Sequence, residues 1–225
     1  MESSAVDVLH RRDDIRNRRY GKRRFSPIRV GDLHVVKQPT HYIRVIFPPP
    51  SQWVVRKGLT LEDVEIWLSN YDAKPVSQYH ITLALLCIED GGNVPDISTF
   101  ANMLKGVRFQ LRDFNLLGRT LVLNATELVC SNPYEYSLSD LQEKVVPSIK
   151  QLLSLQRFSV HHSGLPLHLS VSKLHDCEPH IRAHISNVVA YRPTCFVAKP
   201  SRIEVVTTRA FNGDNPKVVM SVPIY

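Results

Sequence analysis

Ser163-Gly164-Leu165-Pro166-Leu167-His168-Leu169-Ser170-Val171-Ser172-Lys173 carries polar and apolar side chains on alternate positions after its Gly and Pro. Such a period of two is that of a β-strand, whose residues i, i+2 and i+4 point to one side. The stretch therefore predicts a strand with His168, Ser170 and Ser172 on a working face and Leu167, Leu169 and Val171 turned into a core. A counterpart stands 88 residues earlier, where Tyr79-His80-Ile81-Thr82-Leu83 sets His80 beside Thr82 and turns Ile81 and Leu83 inward. The chain is expected to be organised around a cleft shared by these two strands.

Working outward, the same periodicities predict the rest of the chain. Ile43, Val45 and Phe47 form one face of a strand and Tyr42 and Arg44 the other, ended by Pro48-Pro49-Pro50. Thr60-Leu61-Glu62-Asp63 has the form of a capping box, and Leu61, Val64, Trp67, Leu68 and Tyr71 follow at helical spacing. A short helix is predicted over 97–104, ending at Gly106, then strands over 107–111 and 120–124 with Gly118 at the turn. In the second half, Leu138, Leu141, Val145, Ile149, Leu152 and Leu153 predict a helix from about Ser139, kinked or broken at Pro147. A helix over 179–189 follows the His168 strand, then strands over 194–198, 202–208 and 217–222, the last reached through the turn Asn212-Gly213-Asp214-Asn215. Each half supplies strands, a covering helix and one His-x-Thr/Ser strand, an α+β pattern of two lobes.

Composition bounds the function. A chain of 225 residues with 43% hydrophobic and 22% charged residues is globular and long enough for a substantial core. The net charge of +7 is uneven: residues 1–29 hold nine Lys/Arg against four Asp/Glu, and residues 30–225 hold nineteen against seventeen. Residues 1–38 are accordingly expected to be a basic, disordered tail, and 39–225 the folded domain. Within the tail, Arg11-Arg12 and Lys22-Arg23-Arg24 are separated by nine residues, a bipartite spacing that an acidic import receptor grips at two points. A solvated basic arm that makes a weak RNA contact is the plainer alternative. Cys87, Cys130, Cys177 and Cys195 form no CxxC pair, which argues against a thiolate zinc site or a disulfide scaffold and for a reduced, intracellular setting. No apolar run is long enough to cross a bilayer and Met1–His10 has no secretory core, so a soluble protein without membrane association is expected.

The bare His-x-Thr/Ser spacing is a weak signal, because His80, His161, His168 and His184 all satisfy it. His161 is expected in a loop and His184 in a helix, where i and i+2 do not face each other. His80 and His168 alone have apolar residues at both +1 and +3. Two unrelated strand histidines remain one reading of the pair. The chemistry that uses both is metal-free phosphodiester transfer: one neutral imidazole takes a proton from an attacking hydroxyl, and the other, protonated, gives one to the departing oxygen. Hydroxyls at i+2 would then bind the non-bridging oxygens. A zinc site is the competing use of paired histidines, but there is no HExxH helix and no carboxylate at ligand spacing from either motif.

The paired motifs resemble those of the 2H phosphoesterases. The stretches PTHYIRVIF (39–47), PVSQYHITLALL (75–86), RTLVLNAT (119–126) and HSGLPLHLSVSKLH (162–175), with the basic tail before them, are similar to the nuclear accessory 2′,5′-phosphodiesterases of MERS-related betacoronaviruses within that superfamily. The resemblance implies a two-lobed α+β fold whose antiparallel sheets line a central cleft with helices outside. It implies His80 and His168 as the catalytic pair, Thr82 and Ser170 as phosphate binders, and no cofactor or metal. The implied reaction is cleavage of 2′,5′-oligoadenylate to 2′,3′-cyclic phosphate products, which would deprive RNase L of its activator and blunt interferon responses. Tyr42, Arg44 and Lys173 are candidate contacts to adenine or phosphate. Arg11, Arg12, Lys22, Arg23 and Arg24 are the expected contacts to importin-α, placing the protein in host nucleus and cytoplasm. A 2H enzyme acting on 3′,5′-linked or cyclic nucleotides is one alternative. A nuclear interaction protein that blocks import or signalling through its tail is another.

Overall fold

The structure, a computed structural model, describes residues 38–88, 92–130, 146–156, 159–161, 167–208 and 216–225. Gln38–Tyr225 forms a compact unit. The basic residues Arg11, Arg12, Lys22, Arg23 and Arg24, the expected helix start near Ser139 and the turn at 212–215 lie outside the described residues.

Alternating burial builds the first strand, β1 (His41–Ile46), in which Ile43 and Val45 are fully buried while Tyr42 and Arg44 are half-buried. After a short 3-10 turn come β2 (Val54–Lys57) and α1 (Leu61–Ser69). The helix starts where Thr60 accepts from the Asp63 amide at 3.1 Å and its own amide donates back to Asp63 Oδ2 at 3.1 Å. This reciprocal box satisfies two of the amides that every helix start leaves unpaired. The chain continues through β3 (Lys74–Pro75), β4 (His80–Cys87), α2 (Ser98–Met103), β5 (Val107–Leu117), β6 (Thr120–Cys130) and α3 (Val146–Leu155). It ends with β7 (Ser159–His161), β8 (His168–Lys173), α4 (Pro179–Ala190), β9 (Cys195–Ala198), β10 (Arg202–Thr207) and β11 (Val218–Pro223).

These eleven strands form one antiparallel sheet in the order β11-β10-β1-β4-β8-β6-β5-β9-β2, with β3 on β8 and β7 on β4. The α+β class is as expected, but the strands join into one hydrogen-bonded sheet where two lobes, each with its own sheet, were predicted. The joint is one paired position, Ile81 opposite Leu169. Both are fully buried, and Leu61, Leu68, Phe100, Ile149, Leu153, Ile185 and Val189 of the four helices among the described residues belong to the same apolar cluster. The helices thus pack on the Ile81–Leu169 side of the sheet, while the other side carries the motif residues together with the buried Ile46 and Val122, which stand opposite His80 and Ser170.

Two β-bulges flank this joint at equivalent places. In β4, Arg44 pairs with Thr82 and Ile43 with Ala84, so Leu83 has no partner in β1. In β8, Val122 pairs with Ser170 and Leu121 with Ser172, so Val171 has no partner in β6. Each extra residue stands three positions after a motif histidine, a local two-fold repetition that no sequence repeat announces. A bulge flips the alternation beyond it. Ser172 is consequently on the core side, 1% exposed, with its hydroxyl donating to the Lys74 carbonyl at 3.0 Å. The predicted place of Ser172 on the working face is therefore wrong, and Lys173 takes that side instead.

Other departures have similar local causes. β5 runs to Leu117, past the predicted end at 111, because a second irregularity at Asp113, whose φ is 44°, breaks the alternation without ending the strand. His161, expected in a loop, closes the three-residue β7 against Leu85 of β4. His184 lies in α4, as predicted.

Candidate active site

Strand geometry alone brings the two motifs together. Directly opposed residues of an antiparallel pair share a face. Ile81 and Leu169, the middle residues of His80-Ile81-Thr82 and His168-Leu169-Ser170, are such a pair and both point into the core. His80, Thr82, His168 and Ser170 must therefore all stand on the opposite face. Because the strands run antiparallel, each histidine stands on the side of the other motif's hydroxyl, and the two imidazoles are diagonal. All four residues are half-buried.

His80 has a defined tautomer. Its Nδ1 lies 3.1 Å from the Gln78 carbonyl oxygen, which can only accept, so Nδ1 carries the proton and the neutral ring keeps its lone pair on Nε2. Burial pushes the His80 pKa below its ordinary value, the Gln78 carbonyl opposes this, and the positive charges of Arg44 and His168 lower it further while Glu204 raises it. The result is an imidazole that stays neutral at neutral pH with a free acceptor nitrogen, the form a general base requires.

Of the candidate contacts, Arg44 is directly opposite Thr82, which places it on the same face. It is committed within the protein: Nε and Nη2 donate to Glu204 Oε2 at 2.9 and 2.7 Å, and Arg202 Nε donates to Oε1 at 2.6 Å. Burial pushes the Glu204 carboxyl up, but the two guanidiniums outweigh this and hold it below the ordinary carboxylate value. The Arg44 guanidinium also sits 5.9 Å from the centre of the Tyr42 ring, which is in turn 6.4 Å from the His80 ring and tilted by 36°. The Tyr42 ring thus lies at the edge of the site, between Arg44 and His80. Lys173, exposed at the end of β8, joins the face through the Val171 bulge.

Gln78, Glu204, Arg202 and Lys74 were not singled out from sequence. Glu204 had a legible signal, a carboxylate among Ile203, Val205 and Val206 in an apolar strand. The Gln78 carbonyl had none, since a backbone acceptor is set by the path of the chain. His41 is 5% exposed, with burial lowering its pKa and Thr40 Oγ1 at 2.9 Å from its Nδ1. It stands on the core side of β1, away from the motifs.

The family described as Bat coronavirus HKU5 non-structural protein 3c matches residues 1–215. Non-structural protein ORF4b of Middle East respiratory syndrome-related coronavirus (isolate United Kingdom/H123990006/2012) is 45% identical over 208 residues, covering 92% of this chain and 85% of that protein. ORF4b of Bat coronavirus HKU5 is 29% identical over 221 residues, covering 96% and 82%. Among solved structures, the crystal structure of the MHV ns2 PDE domain superposes with a TM-score of 0.43 at 15% identity, over 76% of this chain and 99% of that one. That likeness is too loose to bear on function.

Proposed function

The chain belongs to the coronavirus ORF4b family, and on that premise we propose that it is a metal-independent 2H phosphodiesterase that cleaves 2′,5′-oligoadenylate. The observation that carries this reading is the Ile81–Leu169 pairing, which puts both His-x-Thr/Ser motifs on one face of the sheet. In the proposed reaction the free 3′-hydroxyl attacks the neighbouring phosphorus. His80 Nε2 takes the hydroxyl proton as the new O–P bond forms. Protonated His168 gives its proton to the 5′-oxygen as the P–O5′ bond breaks, leaving a 2′,3′-cyclic phosphate and a 5′-hydroxyl. Thr82 and Ser170 hydroxyls donate to the non-bridging oxygens, where negative charge grows in the transition state. The Gln78 hydrogen bond supports His80 as the base, and the diagonal placement gives His168 the leaving-group side. Tyr42 would stack an adenine, with Arg44 holding the ring.

The test is linkage. Purified protein with EDTA should convert 2′,5′-linked triadenylate to cyclic-phosphate products and leave 3′,5′-linked triadenylate intact, as read by chromatography and mass spectrometry. Equal cleavage of both would make it a general ribonuclease, and loss of activity in EDTA restored by a divalent cation would make it a metalloenzyme.

The proposal extends to the cell. Destroying 2′,5′-oligoadenylate would keep RNase L inactive and antagonise interferon responses, in cytoplasm and nucleus. Arg11, Arg12, Lys22, Arg23 and Arg24 would carry the protein into the nucleus on importin-α. Because a 25.7 kDa chain is small, the check is a fusion to tandem fluorescent proteins too large to diffuse. Its nuclear accumulation should vanish on deleting residues 11–24, and unchanged accumulation would refute the import role.

A further inference from the structure

The Val171 bulge has a second effect at the far end of β8. It brings Lys173 to the side of the sheet that carries His168 and Ser170, and there Lys173 is directly opposite Lys74 of β3. Two like charges facing each other across neighbouring strands repel and destabilise a sheet. The repulsion is answered on one side only: Lys74 Nζ is held by Asp176 at 2.6 Å, whereas Lys173 has no carboxylate partner among the described residues. On the other flank Lys173 faces Thr120 of β6, which is neutral. The end of the motif strand therefore keeps an uncompensated ammonium beside a second one.

We propose that Lys173, with Lys74 beside it, is a subsite for a second phosphate group of the substrate, one nucleotide step from the reacting phosphodiester. This rests on the phosphodiesterase reading. The spacing fits: from Ser170, the hydroxyl proposed to hold the reacting phosphate, Lys173 is about 7–10 Å along the strand, given a rise of about 3.3 Å per residue and one residue taken up by the bulge. That is within the reach of a flexible four-carbon ammonium and an adjacent nucleotide. The ligand is a phosphate monoester or diester, and its source is either the next internal linkage or a 5′-terminal phosphate. Arg44, another cation near the motifs, already has its Nε and Nη2 on Glu204, which leaves the lysines better placed for the outlying phosphate.

Three ligands distinguish these sources: 2′,5′-diadenylate with one phosphodiester, the unphosphorylated triadenylate with two, and 5′-phosphorylated diadenylate. Lys173→Met keeps the apolar stem and removes the charge. It should raise KM by about tenfold, the loss of one charge-assisted contact, for whichever two-phosphate ligand occupies the subsite. The kcat and the diadenylate KM should stay unchanged. Lys74→Met should act in the same direction less strongly, and Lys105→Met, at the end of α2, should do nothing. Binding of the same ligands to His168→Ala, by calorimetry, separates the two proposals. Should wild type cleave nothing while Lys173→Met still weakens two-phosphate binding, the catalytic reading fails and the subsite stands. Should cleavage proceed while Lys173→Met affects one- and two-phosphate ligands alike, or neither, the subsite is wrong.

Discussion

His80→Ala and His168→Ala should each lower kcat on 2′,5′-triadenylate by about 10²- to 10⁴-fold, the range carried by a positioned general acid or base. KM should change little. The two act as base and acid in one chemical step, so the double variant should be scarcely slower than either single one. The pH profile assigns the roles. A base works only when neutral, and burial, Arg44 and His168 all lower the pKa of His80 from its ordinary 6.5. The acidic limb of kcat/KM should therefore have its midpoint below pH 6.5, with activity falling as pH falls through the His80 value. His80→Ala should lose that limb. Ser172→Ala is the internal control: its hydroxyl is on the core side, so kcat should be unaltered. Stability should fall by about 1 kcal/mol because the Lys74 carbonyl loses its donor. Either histidine variant retaining activity within about threefold of wild type, well under the 10² expected of such a group, would remove the motif pair from catalysis.

The largest effect on folding is expected at Glu204. Its side chain is 4% exposed and that of Arg44 12%, so Glu204→Ala strands a guanidinium in a dry setting without its carboxylate. Breaking a buried pair in this way costs about 3–5 kcal/mol, a large part of a domain's stability. Arg202 meets the same carboxylate from a side chain 40% exposed, and Arg202→Ala should cost about 1 kcal/mol or less, as surface pairs do. Replacing Arg44 and Glu204 together by methionine should recover most of the loss, since it removes both desolvation penalties. Urea denaturation read by tryptophan fluorescence measures all three variants against wild type. Because the Glu204 carboxyl is held below its ordinary 4.5, the stability it supplies is complete above that pH and lost as pH falls through the depressed value. A Glu204→Ala loss no larger than that of Arg202→Ala would show the network to be solvated.

What the sequence disclosed followed from local periodicity. The alternation of β1, β4 and β8 and the Thr60 capping box were legible because pleat and helical turn each impose their own spacing on side chains. β2 escaped notice because all four of its residues are exposed, which erases the alternation. β3 and β7 are two and three residues long, too short to show a period. The site was half legible. His80, Thr82, His168 and Ser170 could be read from their apolar neighbours, but Ser172 was assigned to the wrong side. A bulge depends on how a strand meets its partner, so nothing within Ser170-Val171-Ser172 reveals it. Glu204 and the Gln78 carbonyl reach the site from β10 and from the approach to β4, by contacts that only the assembled sheet creates.

Leu83 and Val171 also bear on how this sequence is free to vary. Each is an uncounted step in its ladder, and everything downstream of it in the strand owes its side to that extra step. At these two places the constraint is arithmetic rather than chemical. Another apolar residue of similar size leaves the downstream parity intact, whereas loss of one residue would turn Ser172 outward and Lys173 inward with no change in their identity. Gaps, more than exchanges, are what this pair of positions should resist as the sequence diverges.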